Sequence, residues 1–82
     1  MKATKNNYAI LCEIAYNLTG NVYWLHKPQF DAQSGENFFT EFHSVKRQIK
    51  LLIKNGAIYQ YPMYNLSTKE AKSYVGNSVN IF

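Results

Sequence analysis

Apolar side chains recur at helical spacing in two stretches of the chain and alternate in a strand-like way in a third. In the first stretch Leu11, Ile14, Ala15 and Leu18 share one face, with Tyr8 a turn earlier, and they predict a helix from about Lys5 to Thr19. Thr4 suits its N-cap, and Gly20 suits the left-handed position past its end. The strongest periodicity runs through Phe38, Phe42, Val45, Ile49, Leu52 and Gly56, at alternating steps of four and three. A helix is expected over Ser44 to Asn55, stopped by Asn55-Gly56. The unbroken apolar phase favours a single helix starting near Glu36, whereas Ser44 as a cap favours two.

Between these stretches Asn21-Val22-Tyr23-Trp24-Leu25-His26 is aromatic and β-branched and predicts extended chain. Pro28 is expected to open a helical turn through Phe30 and Ala32, with a break at Ser34-Gly35. Beyond Gly56, Ala57-Ile58-Tyr59-Gln60-Tyr61 predicts a strand, Pro62-Met63 a turn and Tyr64-Asn65-Leu66 a returning strand. Ser67 with Glu70 three residues later forms a capping-box pattern for a short helix through Ala71 and Tyr74. Gly76-Asn77 would end that helix, and Val79 and Ile81 alternate as a last strand. The expected fold class is therefore α+β, helices with a short β-hairpin, in a single domain over residues 1–82. The expected core is Leu11, Ile14, Leu18, Val45, Ile49, Leu52, Ile58 and Leu66.

Composition narrows the classes. Hydrophobic residues make up 46% of the 82 and charged residues only 17%, which argues against a disordered chain. The apolar runs are too short to span a membrane, and Glu13 interrupts the only stretch resembling a leader, so a cytoplasmic protein is expected. The net charge of +4 is uneven. Up to Glu41 the chain carries Lys2, Lys5 and Lys27 against Glu13, Asp31, Glu36 and Glu41; beyond it come Lys46, Arg47, Lys50, Lys54, Lys69 and Lys72 against Glu70 alone. Such asymmetry is an electrostatic footprint for a polyanion.

Little points to catalysis or to a cofactor. His26 and His43 have no motif-spaced serine, cysteine or carboxylate beside them, and Arg47 is the only arginine available to stabilise a phosphorane-like charge. Cys12 and the two histidines lack ligand spacing for a metal, and Cys12 reads as a small apolar residue of the first helix. No cofactor, metal or enzymatic activity is expected.

The informative feature is the helix ending at Asn55. With Val45, Ile49 and Leu52 inward, Lys46, Arg47, Lys50 and Lys54 gather on the other side, joined by His43 if the helix reaches it. No acidic residue interrupts them, although a solvated helix usually alternates signs to form pairs four residues apart. Unrelieved like charge calls for an anionic partner. The helix dipole accounts for Lys50 and Lys54 near the C-terminus, but not for Lys46 and Arg47.

The junction Leu52-Ile53-Lys54-Asn55-Gly56-Ala57-Ile58 resembles the L-x-x-x-G-x-I passage from recognition helix to wing strand in winged helix-turn-helix domains. Tyr64-Asn65-Leu66-Ser67 is similar to the Y-x-L-T segment that enters the next helix in that superfamily, with Ser67 where Thr is usual. The resemblance covers the second half of the chain. It implies a helix in the major groove of duplex DNA, with Ser44, Lys46, Arg47 and Lys50 on the recognition face. It further places Gln60 and Tyr61 at a wing tip and Lys69 near the start of the following helix. Arg47 suits a guanine edge through its two-pronged guanidinium, and the lysines suit phosphates. The expectation is a small DNA-binding regulator of phage, plasmid or prophage type. The alternative is a small inhibitor or adaptor that meets an acidic protein partner through a tyrosine-rich surface. A homodimer is expected to use the first helix or the C-terminal segment, leaving the basic face free, because aromatic residues are in surplus around Tyr16, Tyr23 and Trp24.

Overall fold

The computed structural model describes residues 2–34, 38–63 and 65–76. Four helices follow one another: α1 (Lys5–Thr19), α2 (Tyr23–Ser34), α3 (Phe38–Lys54) and α4 (Thr68–Gly76). No strand occurs among the described residues, so their fold is all-α and the expected α+β winged arrangement is corrected.

Helix α1 is the central element and packs against each of the other three. Thr4 caps it from extended backbone, its Oγ1 accepting the Asn7 N–H at 3.1 Å. At the other end Gly20 has φ +72° and donates its N–H to the Tyr16 carbonyl. A side chain at position 20 would also meet the Tyr61 ring at 2.9 Å, so glycine serves both the turn and the contact. Tyr8, Leu11, Cys12, Ile14, Ala15, Asn17 and Leu18 are all buried, an arc too wide for one neighbour to cover.

Helix α2 replaces the extended chain expected at Asn21–His26. Its first turn is built by Asn21, whose Oδ1 accepts the Tyr23 N–H at 3.0 Å and whose carbonyl accepts that of Trp24. Pro28 lies inside the helix and does not open it. Burial of Trp24 against α1 and α3, and the Lys27–Glu41 ion pair at 2.9 Å, offset the lost helical hydrogen bond and the β-forming preference of this stretch.

Helix α3 is continuous through Ser44, which is therefore mid-helix and not a cap. Phe42, Val45 and Ile49 are fully buried, and Phe38, Leu52 and Ile53 pack at the margin. Tyr8, Phe38 and Phe42 form an aromatic cluster between α1 and α3, with centroids 5.3–6.3 Å apart. The helix ends in two reverse hydrogen bonds, Gly56 N–H to the Ile53 carbonyl and Ala57 N–H to that of Leu52, with Gly56 at φ +96°.

The expected hairpin is instead a strap across the end of α1. The N–H groups of Gln60 and Tyr61 both donate to the Asn17 carbonyl, an acceptor that helix termination leaves open. Ile58, assigned to the core from sequence, is 64% exposed, and Tyr59 packs inward in its place. Of the remaining expected core residues, Leu11, Ile14, Leu18, Val45, Ile49 and Leu66 are buried and Leu52 is half-buried. Ser67 caps α4 by accepting the Glu70 N–H at 3.2 Å, and Ala71 seals that helix against the core. Tyr64, Asn77 and the strand expected at Val79–Ile81 lie outside the described residues.

The Tyr59 hydroxyl is enclosed and has no hydrogen-bond partner among the described residues. Burial pushes its pKa up from 10.0 to about 12. The unfolded chain therefore loses this proton first, and stability that is full below pH 10 drains away as the pH rises toward 12. Tyr59→Phe should match or exceed the wild type at pH 7, since no bond is lost. It should also lose less stability in urea melts between pH 10 and 11. Parallel alkaline losses in both proteins would refute this assignment.

Candidate nucleic-acid interface

Helix α3 is the most strongly amphipathic of the four and presents its polar side to solvent. His43, Arg47, Lys50 and Lys54 are exposed there, with Lys46 half-buried beside them. At about 100° per residue these five and Phe39 fall within an arc of about 100°, and from Phe39 to Lys54 the stripe runs about 22 Å. The Lys46 ammonium lies 5.8 Å from the Phe42 ring centre, so its stem covers core while its charge stays at the surface.

Glu41, the acid nearest this stripe in sequence, faces elsewhere. Its Oε2 accepts from the Lys27 Nζ on α2, which takes the carboxylate out of reach of the cations a turn later. The stripe from His43 to Lys54 thus carries one sign of charge along the sequence, and it lies on a helix whose opposite face is buried through Phe42, Val45 and Ile49.

The other expected site residues are dispersed. The Ser44 hydroxyl accepts from the Gln48 side chain at 3.2 Å, on the flank of α3 away from the lysines. Gln60 is exposed at the end of α1, while the Tyr61 ring packs against Gly20 and Tyr16; neither forms a wing tip. Lys69 is exposed in the first turn of α4. The structure thus gathers Lys46, Arg47, Lys50 and Lys54, and leaves Ser44, Gln60, Tyr61 and Lys69 apart from them.

Two exposed apolar residues share the polar side of α3 and did not enter the sequence reading: Phe39, 65% exposed, and Leu51, 52% exposed. The Phe39 ring meets His43 edge-on at 4.4 Å. The signal was present in the spacing Phe39–His43–Arg47, two steps of four along one helix face. Of the aromatic group expected at a dimer contact, Trp24 is buried and Tyr16 is half-buried against Tyr61, which leaves Tyr23 exposed.

Among the described residues no group of His, Cys, Asp and Glu is arranged to hold a metal, and no helix is long and apolar enough to cross a membrane. Comparison with protein-family models, with curated proteins and with solved structures returns no match.

Proposed function

We propose that this protein binds DNA through the basic face of α3 and acts as a small regulator. The observation that carries this reading is the run of His43, Arg47, Lys50 and Lys54, exposed along one helix face with no acidic residue between them in sequence, while Glu41 just before them is held by Lys27. An α-helix of this kind fits the major groove of a duplex, where the three lysines and Arg47 meet phosphates along the groove edges. The contact relies on the helix alone, since the strap at residues 57–63 supplies no wing.

Release of counterions gives the test. If Lys46, Arg47, Lys50 and Lys54 each neutralise one phosphate, log K should fall against log salt with a slope of about −3.6. Affinity for a mixed-sequence duplex should then drop roughly a hundredfold between 50 and 200 mM salt. Failure to bind DNA, duplex or single-stranded, at 50 mM salt would remove the reading.

A second reading is favoured by one observation, the exposed Leu51 beside these cations. It makes the same face the seat of an acidic protein partner, with Leu51 as an apolar anchor. An inhibitor or adaptor of that kind binds duplex DNA only as a generic polyanion, with no preferred sequence.

A further inference from the structure

Phe39 is the large apolar side chain most open to solvent among the described residues, at 65% exposure. Its neighbours explain why it is not needed inside. Phe38 and Phe42 already pack with Tyr8, and a residue one step from Phe38 is turned about 100° around the helix. That rotation sets the ring at the head of the basic stripe, in line with His43, Lys46, Lys50 and Lys54 at steps of four, three, four and four. His43 props it from one side at 4.4 Å and an interplanar angle of 66°.

A phenyl ring beside a track of cations has two complementary surfaces on nucleic acid. The cations follow phosphates, and the ring face matches the face of a base. In an intact duplex base faces are covered by their neighbours, so a ring at the groove reaches only edges such as the thymine methyl. Only an unpaired or unstacked base presents its face. Charge complementarity along the adjoining turns commits the ring to a nucleic-acid occupant in preference to a neutral apolar one.

We infer that Phe39, held by His43, is a stacking platform for an unpaired base, so that strands with single-stranded character bind more tightly than their backbone charge alone provides. This inference rests on the nucleic-acid reading of α3 and names the form of ligand that face prefers.

The test compares oligothymidylate, an abasic strand of the same length and charge, and a duplex, each against the wild type, Phe39→Ala and Phe39→Trp. The wild type should bind oligothymidylate about tenfold or more tighter than the abasic strand. Phe39→Ala should abolish that difference without changing the salt slope, and its thermal melt should confirm an intact fold. Phe39→Trp should keep the preference, and oligothymidylate should quench its added fluorescence where the abasic strand does not. Equal wild-type affinity for the two strands would overturn the inference, as would an equal loss on both in Phe39→Ala. Duplex binding together with equal wild-type affinity for oligothymidylate and the abasic strand would sink this inference alone. Absence of binding to every strand at 50 mM salt would sink the nucleic-acid reading together with it.

Discussion

Phe42→Ala is expected to destabilise the protein by about 3–5 kcal/mol, the range for truncating a buried phenyl ring. Phe42 has no exposed surface and touches both Tyr8 and Phe38, so its loss opens a cavity between α1 and α3. An ordinary domain of this length has a total stability of roughly 4–12 kcal/mol, so the variant would stand close to the limit of folding. A fall in Tm of at least about 12 °C should follow. Ile58→Ala is the matched control: an exposed residue on the strap should shift stability by no more than about 0.5 kcal/mol. Comparable losses from both substitutions in urea melts would mean that the core is not centred on the α1–α3 interface.

The contrast between those two positions shows where sequence patterning was sufficient. Helices α1 and α3 were legible because their signals are local: Thr4 at one cap, Gly20 and Gly56 past the ends, and apolar residues in step with the helical turn. At Ala57–Tyr61 the alternation was real but its direction was not. Either Ala57 and Tyr59 or Ile58 and Gln60 could face inward, and the larger ring of Tyr59 took the inner position. The partner for this backbone was also invisible to pattern. It is the Asn17 carbonyl at the end of α1, some 40 residues away in sequence, and no returning strand supplies it. Helix α2 was lost for a related reason. Val22, Tyr23 and Trp24 favour extended chain in isolation, and only the Asn21 cap, the burial of Trp24 and the Lys27–Glu41 pair start a helix at Tyr23.

The candidate site divides along the same line. Lys46, Arg47, Lys50 and Lys54 share a face because helix geometry alone dictates it. Gln60 and Tyr61 were linked to them through a hairpin, and the absence of that hairpin sends both to the end of α1. Phe39 escaped notice because it adjoins Phe38 in a run of apolar residues, although two rings of the phase were enough to fill the core beside Tyr8.

Arg47→Glu combined with Lys54→Gln should nearly abolish binding of DNA while leaving the fold intact. Both side chains are exposed, and no ion pair holds either among the described residues. Glutamine is the better choice at position 54, because a carboxylate in the last turn would oppose the helix dipole and confuse affinity with stability. Melts of the double variant should agree with wild type within about 0.5 kcal/mol. Two phosphate contacts are removed, so the salt slope should shrink by about two units. The carboxylate at position 47 adds repulsion, and affinity at 100 mM salt should fall by at least about a hundredfold. The loss should extend to duplex, oligothymidylate and abasic strand alike, since it acts on phosphates. Phe39→Ala, by comparison, acts only where a base is present. Undiminished affinity in a folded double variant would show that the basic face of α3 is a solvated surface and that any DNA contact lies elsewhere on the molecule.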